Sequence, residues 1–206
     1  MHISEGFLSP GVLVSGFVIA GAGVAYGLKK TDPDRIVRVS MTSSVFFLAS
    51  LVNIRVGPGS AHMSLIGAMG LMLGWSSFPA VFTALLLQAA LFQFGGLFVL
   101  GVNTASMASA AVMVHLLFGG AVRASGGSEK LAAAASFAAG FIGVFLGAAF
   151  SGLWLAASDP GLSGAAWALI AVHLPAAFLE GAVTLAMTAF LRRTFPDVLG
   201  MAVTRE

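Results

Sequence analysis

The sequence predicts an all-α integral membrane protein, and three observations predict it. Of 206 residues, 58% are hydrophobic and only 9% charged, against roughly 25% charged in a soluble domain. Residues 56–122 contain no Asp, Glu, Lys or Arg, and neither do residues 131–158. A spanning helix uses about 20 apolar residues, so the first run holds three. The apolar residues come in continuous blocks, not in the short alternating segments of an outer-membrane barrel.

Punctuation by Pro, Gly and charge divides one transmembrane domain, 1–206, into seven helices near 10–29, 36–54, 60–76, 79–94, 103–121, 131–157 and 164–191. The first lies between Pro10 and the polar loop Lys29-Lys30-Thr31-Asp32-Pro33-Asp34-Arg35. Gly57-Pro58-Gly59 separates the second from the third, and Ser76-Ser77-Phe78-Pro79 the third from the fourth. The fifth follows Leu100-Gly101-Val102 and ends before Arg123, while Lys130 precedes the sixth. Ser158-Asp159-Pro160-Gly161 makes the last turn. In the seventh helix Pro175 removes a backbone donor and is expected to kink it.

Short-loop Lys and Arg favour the cytoplasm. With seven spans and the N-terminus outside, Lys29, Lys30, Arg35, Arg38, Arg123, Lys130, Arg192, Arg193 and Arg205 fall inside, and Arg55 alone falls outside. The start Met1-His2-Ile3-Ser4-Glu5-Gly6 lacks the charged segment of a secretory signal, so Met1 is expected to be the mature N-terminus. Gly23/Gly27 and Gly143/Gly147 are GxxxG pairs, which permit close helix approach in lipid. They are read first as packing within the chain, with docking onto a partner membrane subunit as the alternative.

No cysteine is present, which excludes disulfides and thiolate metal sites. Polar residues at membrane depth are costly and therefore functional candidates; here they are His62, Gln88, Gln93, Asn103, His115, His173 and Glu180. His2, just outside the first span, is the most informative. If Met1 is retained, the terminal amine, the deprotonated His2 amide and the His2 imidazole close a five- and a six-membered chelate ring in one plane. Tetragonal nitrogen donors suit Ni(II) or Cu(II), and one more imidazole completes the square. In this topology His62 is on the same side of the membrane and is the natural fourth donor. An ordinary solvated His2 and an interfacial His62 are the plainer alternatives. His173 and Glu180 lie on one stripe of the last helix and are assigned a coupling or structural role rather than direct ligation. His115 reads as a packing residue. Asn103 and Thr104 are placed to hydrogen-bond the ligands, with Glu5 and Ser60 beside them at the pocket.

Met1-His2-Ile3-Ser4-Glu5-Gly6-Phe7-Leu8, Gly59-Ser60-Ala61-His62, Phe94-Gly95-Gly96-Leu97 with Leu100-Gly101-Val102-Asn103-Thr104, and His173-Leu174-Pro175 with Leu179-Glu180-Gly181 occur in that order. Together they resemble the CbiM/NikM proteins, the substrate-binding membrane subunits (S components) of energy-coupling-factor nickel and cobalt importers. The loop Gly57-Pro58-Gly59-Ser60-Ala61 departs from that family's pattern, and the chain ends soon after the last helix, so no fused accessory domain is expected.

The resemblance implies that residues 1–9 fold into the external mouth and that the metal binds the Met1 amine, the His2 amide and imidazole, and the His62 imidazole. It implies a transmembrane coupling (T) subunit, cytoplasmic ATPase subunits and a small accessory membrane subunit, in a bacterial inner membrane. The chain has no phosphate-binding Gly-x-x-x-x-Gly-Lys-Ser/Thr loop, so it is expected to be no enzyme, with ATP hydrolysis in partner chains. No catalytic cofactor and no nucleic acid are expected. The cargo is read as Ni2+, with Co2+ for cobalamin supply as the alternative and a metal-independent scaffold as a remote one. An intramembrane hydrolase using Ser60 or Ser106 with His115 or His173 is disfavoured, since no nucleophile elbow is present.

Overall fold

A computed structural model of the protein describes residues 2–51, 53–56, 59–124 and 128–201; for residues 53–56 and 59–61 the backbone alone is described. The order of elements is β1 (His2–Ile3), α1 (Pro10–Lys30), α2 (Ile36–Ala49), β2 (Asn53–Val56), β3 (Gly59–His62), α3 (Ile66–Leu73), α4 (Ser77–Phe92), α5 (Leu100–Arg123), α6 (Glu129–Ser158) and α7 (Ser163–Thr194).

α1 opens on Pro10, whose fixed φ and missing N–H suit the first helical position. It closes on Lys29 and Lys30, cations at the negative end of the helix dipole. Thr31 Oγ1 donates to the Gly27 carbonyl at 2.8 Å, satisfying one of the acceptors that a helix end leaves free. The same hydroxyl lies 2.8 Å from Ser76 Oγ, which pins the turn between α3 and α4 to the basic end of α1. The opposite end of α4 runs into Phe94–Leu97, which lies against the N-terminal segment, where Glu5 N–H donates to the Gly95 carbonyl at 3.2 Å. The chain therefore reverses at Gly74, whose φ of +55° suits a residue without Cβ.

α5 is the central helix, packed against α1, α3, α4 and α6, and α6 pairs with α7 along its length. Glycines set these approaches. A Cβ at Gly16 would lie 2.8 Å from the Val102 backbone, and one at Gly140 would lie 2.4 Å from the Glu180 carbonyl oxygen. Gly23 and Gly27 receive Phe78, Trp75 and Pro79, and Gly143 faces Gly67, so these spacings serve packing within the chain. At the basic end, Arg38 bridges to Asp197 at 3.3 Å, and Arg192 donates to the Val122 carbonyl. The exposed surface is rich in large apolar side chains, among them Val14, Leu28, Leu116, Leu153, Trp167 and Phe190, as lipid contact requires.

The main departure from the expected spans lies between the second and third helices. α2 ends at Ala49 rather than near 54, and α3 starts at Ile66 rather than 60. Between them β2 and β3 pair antiparallel (Asn53↔His62, Arg55↔Ser60), and β1 adds to the other edge of β3 (His2↔Ser60, Ile3↔Gly59), giving the order β1-β3-β2. Asn53-Ile54-Arg55-Val56 alternates polar and apolar with the period of a strand. α2 and α3, at about 21 and 12 Å of helical rise, are shorter than the roughly 30 Å hydrocarbon core. Among the described residues, five stretches have the length and apolar composition of a span, Pro10–Lys30, Ile66–Phe92, Leu100–Arg123, Glu129–Ser158 and Pro160–Thr194, the second of them containing the reversal at Gly74. Pro175 sits inside the continuous helix α7.

Candidate metal-capture site

The site is built where β1 enters the helical bundle. Alternation along a strand sends neighbouring side chains to opposite faces. Ile3 is fully buried in an apolar cluster with Val102 of α5, Leu155 of α6, and Ala166 and Leu169 of α7. His2 is buried as well, 2% exposed, and meets His62. Their ring centres are 4.5 Å apart and their planes 24° from parallel.

One edge of β1 is paired to β3. The other is taken by a side chain: Asn103, in the first turn of α5, accepts from Ile3 N–H through Oδ1 at 2.9 Å and donates from Nδ2 to the Ile3 carbonyl at 3.1 Å. A primary amide thus stands in for the peptide of an adjacent strand, and both backbone groups of Ile3 are satisfied. Two residues on from Ile3, Glu5 Oε1 accepts from Phe98 N–H at 3.0 Å. Gly96, at φ +120°, has no room for a Cβ, which would meet Glu5 Oε1 at 2.2 Å. The Phe94–Leu97 turn and α5 together hold the N-terminal segment against the hairpin.

His62 Nδ1 lies 3.0 Å from the Met63 carbonyl. A carbonyl can only accept, so Nδ1 carries the hydrogen and Nε2 presents a lone pair. Nε2 has no partner, and neither ring nitrogen of His2 has one. Burial pushes the His2 imidazole down to about 3 and holds His62 well below the usual histidine range, so both rings are neutral near pH 7 and free to bind a cation. Buried polar atoms normally find partners; three unpartnered imidazole nitrogens in one place make this the candidate ligand site. Two imidazoles bound to neighbouring corners of one ion at about 2.0 Å have ring centres separated by about the distance found here.

The other expected residues divide clearly. Thr104 is buried beside Asn103, with Oγ1 unpartnered. The Ser60 backbone pairs with His2, while its side chain lies outside the described ones. Met1, Gly57 and Pro58 lie outside the described residues. His173 Nδ1 donates to the Leu169 carbonyl at 2.7 Å, leaving its buried Nε2 unpartnered. Glu180 is fully buried and accepts at Oε1 from Ser64 N–H and, at 2.9 Å, from Ser64 Oγ–H. Among the described residues no three His, Asp or Glu side chains converge on one point, so His173 and Glu180 do not join His2 and His62 as a cluster. His115 is a packing residue, with Nδ1 3.2 Å from the Gly70 carbonyl. Ser106 donates to the Val102 carbonyl at 2.9 Å.

Sequence reading missed Ser64 and the buried bond from Gln88 Nε2 to Ser50 Oγ. The only signal for Ser64 was the need of a buried Glu180 for donors, and that need does not say where they come from.

The family model describing the cobalt uptake substrate-specific transmembrane region, CbiM, matches residues 2–198. A Haemophilus influenzae protein, named for metal transport, is 37% identical over 97% of both chains. A Sorangium cellulosum protein named as a cobalt transport protein is 29% identical over 97% of this chain and 94% of its own. A Rhodobacter capsulatus fused nickel transport protein is 32% identical over 55% of this chain and 35% of its own length. A solved transition metal transporter shares the fold with a TM-score of 0.75 at 23% identity, covering 94% of this chain and 93% of that one. With its apolar helices, its N-terminal strand and this match along nearly the whole sequence, the chain belongs to the CbiM family of multi-pass membrane proteins that transport cobalt or nickel.

Proposed function

We propose that this chain is the capture subunit of an energy-coupling-factor importer, and that it binds Ni2+ with a planar set of four nitrogens: the Met1 amine, the His2 amide, the His2 imidazole and His62 Nε2. The observation that carries the reading is the pair of buried, neutral, unpartnered imidazoles of His2 and His62, with His2 on a strand beginning at the second residue. A planar four-nitrogen set suits nickel; the same donors accept Co2+, which remains the second cargo. Asn103 and Glu5 hold the segment that carries His2, Thr104 and Ser60 border it, and His173 and Glu180 of α7 serve a coupling or structural role rather than direct ligation.

Seven passes with the N-terminus outside are supported by the nine basic residues gathered on one side in that topology. Binding displaces protons from the amine and amide, so falling pH weakens capture. Energy for inward release comes from ATPase subunits acting through a transmembrane coupling subunit, together with a small accessory membrane subunit, in the bacterial inner membrane.

The test is calorimetric titration of purified protein with Ni2+ and Co2+. His2→Ala and His62→Ala are each expected to lower affinity more than about a hundredfold, beyond the usual range for residues that only orient ligands. Wild-type affinity in either variant contradicts the donor set.

A further inference from the structure

The carboxylate of Glu180 is unusual in what it serves. It is fully buried in α7, and its Oε1 takes both donors of Ser64, the backbone N–H and the hydroxyl. Ser64 follows Met63, whose carbonyl holds His62 Nδ1, and it stands two residues ahead of α3. Leu65, the N-cap of α3, is left-handed at φ +50° and offers no side-chain cap. An oxygen from another helix therefore takes the backbone donor immediately before the N-cap of α3. The His62–Leu65 turn is a tight bend with a non-glycine residue in a left-handed conformation, which persists only where surrounding contacts hold it.

We infer that Glu180 is the positioning residue for His62: by fixing Ser64 it sets the Met63 carbonyl, and through it the tautomer and direction of the His62 ring. Ligand imidazoles are commonly oriented through the hydrogen bond of their second nitrogen; here that hydrogen bond is itself anchored, one residue later, to α7. The backbone approach needed for this is built in, because Gly140 lets α6 close onto the Glu180 carbonyl and Gly67 at the start of α3 closes onto Gly140. His62, α3, α6 and α7 are thereby locked at one place. This inference rests on the proposed reading that His62 binds the transported metal.

Both Ser64 donors need an acceptor, not a charge, and Gln supplies one at the same position. Glu180→Ala is expected to lower Ni2+ affinity about 10- to 100-fold and to shift or abolish the visible absorption of bound nickel. Glu180→Gln is expected to restore the absorption band and bring affinity within about threefold of wild type. Hydrogen exchange, followed without metal, is expected to show faster exchange at the Ser64 amide in Glu180→Ala alone. A merely structural role lowers thermal stability without moving the nickel band or separating Gln from Ala. Wild-type affinity and spectrum in a folded Glu180→Ala, or a Gln variant as impaired as Ala, overturns the inference. If Glu180→Ala does not fold, Ser64→Ala decides: it deletes one of the two bonds and is expected to weaken binding in the same direction, and wild-type affinity there overturns the inference. Failure of the wild type to bind either metal refutes the capture reading instead, while the exchange measurement still reports on the Glu180–Ser64 contact.

Discussion

At the scale of single residues, Asn103 is the most exposed to test. Its amide satisfies both backbone groups of Ile3, so Asn103→Ala strands two buried groups at about 1–3 kcal/mol each. The expected result is a 10- to 100-fold loss of metal affinity, with fast exchange at the Ile3 amide. Asn103→Asp keeps Oδ1 but sets an acceptor against the Ile3 carbonyl, and calorimetry is expected to show no recovery. Gly96→Ala combines a φ of +120° with a Cβ 2.2 Å from Glu5 Oε1; it is expected to lower affinity and thermal stability together. His2 and His62 stood out in the sequence because amine, amide and imidazole at the second position can close two chelate rings, and because His62 falls on the same side of the membrane in the expected topology. That Asn103 grips the backbone of Ile3, rather than a metal ligand, and that Ser64 receives Glu180, depend on contacts a hundred or more residues apart in sequence, which no local pattern encodes.

At the scale of elements, helices bounded by Pro or by charged residues were legible: α1, α5, α6 and α7 fall within a few residues of their expected limits. The hairpin was not recognised. Val52-Asn53-Ile54-Arg55-Val56 carries a period-two alternation and Gly57-Pro58-Gly59 a turn signal, but the surrounding apolar density masked both. The strands exist because β1 joins them; two strands alone are marginal. The helix crossings were visible only as glycine spacing, and which helix each glycine meets is a property of the assembled bundle. At the α6–α7 crossing, Gly140→Val places side-chain atoms where the Glu180 backbone lies, and overpacking of this kind costs about 1–3 kcal/mol. It is expected to lower the thermal midpoint clearly. Gly21→Ala, where nothing lies within 4 Å of the new Cβ, is expected to be neutral or slightly stabilising, and the two melting curves check the contrast.

At the scale of the molecule, composition alone established a helical membrane protein, because an uncharged stretch spanning residues 56–122 cannot be covered by water-facing surface. The proposed orientation rests on the distribution of Lys and Arg. The chain has no native cysteine, so single cysteines report orientation directly. Phe7→Cys, at an exposed position, is expected to react with an impermeant maleimide on intact cells. Asp34→Cys, in the exposed loop between α1 and α2, is expected to react only after lysis. The reverse pattern contradicts an external N-terminus.

The central claim is that the N-terminus itself is part of the metal site, and one extra alanine ahead of Met1 tests it most directly. The extension leaves His2, His62 and every helix in place but converts the Met1 amine into a peptide nitrogen and moves the free amine one residue away. Calorimetric titration with Ni2+ is predicted to show tight binding by the native chain and none by the extended one. Equal affinity in the two proteins contradicts the chelate and removes the terminal amine from the donor set.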